Sequence, residues 1–330
     1  MNLFQPAANA LIFKFATLLI TLALPTISAA MGLMVENAPA HCGAAAPVAV
    51  AAPPAAAQRL AGSQAVQGQR DIAWAWLGSP TDRYPHAALG SRTHAGSVHV
   101  LVAGPTGALQ EVFYRLPINR VFEDLTLRLA DLDQDGRDEI IVIESDALRG
   151  ASLVVLGLDD LQTGKALREK ARSPPAGSTF RWLNPVGVAD FNGDGKLDVA
   201  AVVTPHIGGD LTLYHYRPPQ LVPYAKAMDT SNHLMGSPEQ QLAVVLQQPG
   251  LRPTIIVPDM SLKALHALRW EGSESKGSGT AQASKFKELA DVKPLPAQVQ
   301  RITPLPGAAN AACVLLANNT WRRVVLTQGH

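Results

Sequence analysis

The sequence predicts an all-β protein assembled from a tandem series of four-stranded units, and three observations carry that expectation. Short apolar runs recur between Gly, Pro, Asp and Ser: Ser97–Val102, Glu139–Ile143, Ser152–Leu158, Asp198–Val203, Asp210–Tyr216, Thr254–Val257 and Cys313–Leu316. Each is strand-length, several are β-branched, and few carry a helical period. Two segments, Leu129–Val142 and Val188–Ala201, are near copies, with Asp131 and Asp190 standing 59 residues apart. Eroded copies continue the frame, so that it falls at 77, 131, 190, 246 and 305.

Each unit offers strands a to d in about 57 residues, the signature of a propeller blade. In the second unit they are expected at Leu125–Ala130, Glu139–Ile143, Ser152–Leu158 and Lys165–Arg172. About five four-stranded blades then make a β-propeller over residues 70–330. The first frame leads from Leu77–Pro85 into a strand at His86–Leu89. The last unit runs out after Thr320–Thr327, one strand short, and a strand from residues 58–68 is expected to fill that gap and hide the open edge.

Ahead of the repeats stand two segments of different character. Lys14 precedes an apolar run, Phe15–Leu24, followed by Pro25 and Ser28-Ala29-Ala30. That order is a secretory signal, so residues 1–30 read as a signal peptide and the protein as exported, periplasmic or extracellular. The run is too short for a bilayer that needs about 20 apolar residues, and no transmembrane span is expected in the mature chain. Residues 31–69 read as an Ala/Pro-rich arm or linker, because 43–57 are nearly all Ala, Pro and Val with no amphipathic period. Of the two cysteines, Cys313 lies inside Ala312–Leu316 and reads as a small buried core residue. No spacing argument pairs it with Cys42, although a bridge between them would clamp the arm to the last repeat.

With 28 Lys and Arg against 27 Asp and Glu, the formal net charge is +1, without a basic stripe or a block of like charge. Nucleic acid and anionic membrane surfaces are therefore poor partners.

The chemistry concentrates in the near-copied loops. Asp131, Asp133, Asp135 and Glu139 occupy positions 1, 3, 5 and 9 of one loop, and Asp190, Asn192, Asp194 and Asp198 repeat the arrangement in the other. Ca²⁺ prefers six to eight oxygen ligands, and alternate residues of a tight loop can point inward together. Gly136 and Gly195 at position 6 permit the sharp turn, and the carbonyls of Arg137 and Lys196 at position 7 would face the ion. A helical EF-hand wants Glu at position 12, where Val142 and Ala201 stand, so these are strand-loop-strand sites for about two Ca²⁺ ions. An acidic solvated turn is the competing explanation. Crowded carboxylates repel without a cation, which gives the ion a structural role.

Asp-Leu-Asp-Gln-Asp-Gly-Arg-Asp-Glu at 131–139 and Asp-Phe-Asn-Gly-Asp-Gly-Lys-Leu-Asp at 190–198 resemble the calcium loops of FG-GAP/VCBS repeat proteins, a group that includes bacterial exported proteins and the integrin α-subunit propeller. The resemblance implies calcium loops on one face of a propeller and partner binding on the other, built from the d–a and b–c connections. Those connections hold Arg120, Glu123, Arg149, Arg181, Trp182, Asn184, His206 and His233, a set that would suit a protein or glycan partner. Trp182 also reads as a side chain packed between blades, with the charges merely solvated.

No Gly-x-Ser-x-Gly elbow, phosphate loop, His-Glu-x-x-His or Cys-x-x-Cys occurs. His94 and His99 lack a third ligand for zinc. The sequence therefore points to a non-catalytic binding or scaffold module. The alternatives are a propeller enzyme on polysaccharide, using Glu123, Asp146 or Asp210, and a structural component of an envelope assembly.

Overall fold

The computed structural model describes residues 31–39, 42, 59–104, 107–161, 164–272 and 286–328. The expected signal peptide and the Ala/Pro run at 43–57 lie outside them. The regular elements among the described residues are all β-strands, without an α-helix. No helix among them is long and apolar enough to cross a membrane.

The chain opens on β1 (Met31–Asn37), which pairs with the last strand. Then β2 (Val66–Gln67), β3 (Ile72–Thr81), β4 (His94–Ala103) and β5 (Leu109–Arg115) pair antiparallel in order. The next a position is split into β6 (Arg120–Phe122) and β7 (Arg128–Ala130), both on β8 (Glu139–Asp146), followed by β9 (Gly150–Leu161) and β10 (Gly164–Arg172). β11 (Leu183–Ala189), β12 (Asp198–Val203), β13 (Asp210–Arg217) and β14 (Gln220–Ala227) repeat the meander. So do β15 (Val244–Leu246), β16 (Thr254–Pro258) and β17 (Ala264–Trp270), the last paired with both β18 (Phe286–Glu288) and β19 (Lys293–Pro294). Finally β20 (Val299–Pro304), β21 (Ala311–Leu316) and β22 (Trp321–Gln328) pair in order, and β1 joins β22 over seven residue pairs.

From β8 onward the second strand of each meander is apolar on both faces because it feeds two cores. Ile140 and Val142 of β8 pack with Leu77, Val98 and Phe122, while Ile141 and Ile143 pack with Trp182, Leu183 and Val199. Val199 and Ala201 of β12 face that second core, whereas Ala200 and Val202 face Ile255 and Val257 of β16. Ile256 turns the other way, onto Val244, Ile302 and Val314. Period-two alternation thus sorts one continuous apolar run between two neighbours.

Three expectations need correction. The strand that completes the last sheet is Met31–Asn37, not residues 58–68, because Leu33 buries against β21 and β22 while Val66–Gln67 pairs with β3. The first repeat does not carry a strand at His86–Leu89. Residues 82–93 connect β3 to β4, and Ala88 and Leu89 are apolar because they are buried against Trp182 and Leu183. The second strands begin at 72, 139, 198, 254 and 311, so the first interval is 67 residues against 59, 56 and 57 for the others. The long 82–93 connection displaced the frame. Lastly, Cys42 and Cys313 form a disulfide, both buried beside Leu305, Ala311 and Val325. A sequence separation of 271 offers no local pattern that could announce it.

Candidate metal loops and the opposite face

Both acidic loops join a first strand to a second, β7 to β8 and β11 to β12, and their backbones match. Gln134 and Gly193 at position 4, and Gly136 and Gly195 at position 6, all have positive φ. In the first loop, ligand oxygens of Asp131, Asp133 and Glu139 lie within 4.8 Å of one another. Oxygens 2.3–2.6 Å from a common Ca²⁺ would be spaced on that scale. Asp131 Oδ1 is buried without a hydrogen-bond partner, and an orphaned carboxylate oxygen costs stability unless a cation meets it. Burial pushes the Glu139 carboxyl up to about 7, the Leu132 amide opposes that, and the charges of Asp133, Asp135 and Asp131 add to the rise. These residues therefore fit a hard divalent cation. Asp135 Oδ1 accepts from the Arg137 amide at 2.8 Å, and the Arg137 guanidinium turns outward to Asp71 and Asp160.

The second loop is drawn together by its own amides. Asp190 accepts from Gly193, Asp194 and Gly195, Asn192 accepts from Asp194, and Asp194 accepts from Lys196. Asp198 departs from the pattern. Its carboxylate is 1% exposed and meets His215 Nδ1 at 2.9 Å and the Tyr224 hydroxyl at 2.8 Å, the two rings stacked 3.9 Å apart. The first loop thus gathers three expected ligands, whereas the second diverts its last one into a buried cluster.

At the opposite end, the expected partner residues form a buried polar seam rather than an open ring. Glu123, Trp182, Asn184 and His233 are buried. Glu123 accepts from Ser145 Oγ and contacts His86 Nδ1, both at 2.6 Å, and its carbonyl accepts from Trp182 Nε1. His206 Nε2 lies 2.8 Å from His233 Nδ1 and its ring stacks on Trp182. Asn184 and Asn232 exchange amide hydrogen bonds, and Asn184 also donates to the Gln240 carbonyl. Arg120 pairs with Glu144 and Asp146, Arg181 is half-buried, and Arg149 alone of the eight is exposed. His94 and His99 have separate partners, the His86 carbonyl and Glu111.

Sequence reasoning missed the residues that make up this end's surface. Ile118, Leu148, Phe180, Ile207, Leu234 and Met235 are exposed at the tips of the connections. Hydrogen bonds tie the tips together, from the Ala147 amide to the Asn119 carbonyl and from Thr179 Oγ1 to the Ala147 carbonyl. In chain order such residues are isolated apolar letters inside polar loops, and only their shared end groups them. It also missed Arg70 and Asp71, whose Arg-Asp pair repeats as Arg137-Asp138 ahead of β8. That repeated dipeptide was the available signal.

Comparison with known families adds one finding. A model of the FG-GAP-like repeat matches residues 131–201, the two loops and the strands between them. Residues 131–201 are an FG-GAP-like repeat. None of the curated proteins matches the chain. Among solved structures, a "Putative phosphatase" from Bacteroides thetaiotaomicron VPI-5482 aligns with TM-score 0.38 at 10% identity, over 81% of this chain and 61% of that one. The chain spans about three fifths of that protein, and a likeness this loose carries no argument about the FG-GAP-like repeat. The matched residues span both candidate metal loops and, between them, the connections at 147–149 and 174–181 of the opposite end.

Proposed function

We propose that the chain is an exported β-propeller of five four-stranded blades, stiffened by Ca²⁺, that serves as a non-catalytic binding module for a protein partner. Five antiparallel meanders at near-constant spacing support the blade count. So does one cavity of about 540 Å³, lined by strand residues of the second, third and fifth meanders, among them Arg128, Val186 and Arg301, and by Gln64 and Gln240 in the segments that lead into the first and fourth. The 131–139 loop holds one ion through Asp131, Asp133 and Glu139, and Asp190, Asn192 and Asp194 hold a second.

The observation that carries the binding function is the composition of the end opposite those loops. Six stretches of its connections, residues 82–93, 116–119, 147–149, 174–181, 204–209 and 228–238, carry neither Lys nor Glu and expose Leu148, Phe180, Ile207 and Met235 beside Arg92 and Arg149, while Glu239 and Lys263 stand further along the connections of the fourth meander. Protein interfaces are enriched in aromatic side chains, Met and Arg and depleted in Lys and Glu. Exposed contiguous apolar groups on a monomer mark interaction sites. The polysaccharide-enzyme alternative lacks comparable support, since Glu123 serves His86 and Ser145, Asp146 serves Arg120, and Asp210 meets Lys226.

A photo-crosslinking amino acid placed at Leu148, and separately at Asp133 on the metal-loop end, tests this in the cells that produce the protein. A discrete protein adduct from position 148 alone is expected. No adduct at 148, or the same adduct from both ends, would sink the binding-face assignment.

A further inference from the structure

The first metal loop is not built by its own repeat alone. Arg70, in the β2–β3 turn of the preceding meander, reaches into it. Its Nε lies 3.3 Å from Asp131 Oδ2, and its Nη1 donates to Asp138 Oδ1 at 2.9 Å. The Gln69 and Arg70 amides approach Asp138 Oδ2 at 3.4 and 3.3 Å. In the reciprocal sense the Asp138 amide donates to Asp71 Oδ1 at 2.9 Å, and Arg137 Nε to Asp71 Oδ2 at 3.1 Å. Two Arg-Asp pairs are thus crossed between neighbouring turns. The arrangement leaves Asp131 with one oxygen shared between Arg70 and the Gly136 amide, and the other buried and unpartnered.

We propose that Arg70 is a built-in competitor for the cation of the 131–139 loop: it neutralises Asp131 while the loop is empty and moves wholly onto Asp138 when the ion arrives. This rests on the assignment of Ca²⁺ to that loop. The second loop is an internal control. No Lys or Arg among the described residues pairs with Asp190: the preceding repeat offers the neutral Gln134 amide, which donates to the Gly195 carbonyl at 2.9 Å, and the guanidinium of Arg252 from the following repeat lies against Gly193 without forming an ion pair with Asp190. A guanidinium beside Asp131 opposes a divalent ion by like-charge repulsion, so the first loop releases its ion more readily than its carboxylates alone would dictate. Because the competitor belongs to the preceding meander, occupancy of the loop is coupled to how those two turns are docked.

Calorimetric Ca²⁺ titration of the mature chain tests this on the wild type, Arg70→Gln, Arg70→Ala and Asp131→Asn. Removing the guanidinium is expected to tighten one site roughly five- to twenty-fold at low salt, from a unit charge a few ångströms from a divalent ion in high dielectric. The gain shrinks in high salt, because exposed charges are screened. The other site keeps its affinity, and the chelated protein melts lower because Asp131 has lost its counter-charge. A merely structural role for Arg70 predicts the opposite sign, weaker binding from a loosened loop. Unchanged or weaker binding in both Arg70 variants overturns the competitor role. If Asp131→Asn removes no ion from the wild-type count, the Ca²⁺ assignment itself fails, and the competitor role with it.

Discussion

Individual side chains here are placed by what their charge demands. Asp131 opens one loop and Asp198 closes its near copy, and the first keeps a buried oxygen open while the second satisfies both of its oxygens through His215 and Tyr224. Asp131→Asn should therefore remove one ion from the calorimetric count and much of the Ca²⁺-dependent rise in Tm. His215→Phe should cost about 1–3 kcal/mol in denaturant unfolding, because it strips a donor from a buried carboxylate. His206 and His233 supply the pH dependence. Burial pulls them down to about 4 and about 3, with the charge of His86 adding at His206 and that of His206 adding at His233. Their ordinary value is 6.5, so between there and about 3 the unfolded chain binds protons that the folded chain refuses. Stability falls as pH drops through that window. Melting curves from pH 7 to 4 should be steeper for the wild type than for His206→Gln/His233→Asn, and equal slopes would refute the assignment.

Secondary-structure elements were largely legible. The runs at 139–143, 152–158, 198–203 and 254–257 are strands because their β-branched residues alternate between two cores, a pattern contained within each run. The a strand of the second meander was expected as one piece and is two, β6 and β7, because Glu123 and Asp124 turn inward between them. Asp124 accepts from the Leu125 and Ile143 amides and pairs with Arg128. Met31–Asn37 was read as part of a linker, since its value to the fold lies in burying Leu33 against a strand nearly 300 residues away, and the disulfide follows from that placement. Cys42→Ser/Cys313→Ser should cost about 2–5 kcal/mol, the usual range for a native bridge closing a long loop. Hydrogen exchange should show β1 losing protection before β21, and simultaneous loss would mean that the bridge does not hold β1 specifically.

For the whole molecule, the two ends divide the labour. The metal-loop end is internally braced by Arg70–Asp138, Arg137–Asp71 and Gln134–Gly195 contacts between successive meanders. Chelation should therefore lower Tm for the whole chain in one transition rather than free a single loop. The opposite end carries exposed apolar tips over a buried polar seam. Leu148→Glu/Ile207→Glu should leave Tm nearly unchanged, as exposed sites do, while abolishing any adduct trapped at that end.

What the sequence determined by itself is local: strand-length apolar runs, their repetition, and oxygen side chains at odd positions of two glycine-bearing loops. These follow from steric alternation and ligand arithmetic within a dozen residues. Tertiary structure alone decided that Met31–Asn37 completes the last sheet, that Cys42 meets Cys313, and that Glu123 and Trp182 are buried. It also decided that Arg70 reaches Asp131. Each of these joins segments whose separation in the chain carries no periodic signal, so only the packing energy of the assembled sheets selects them.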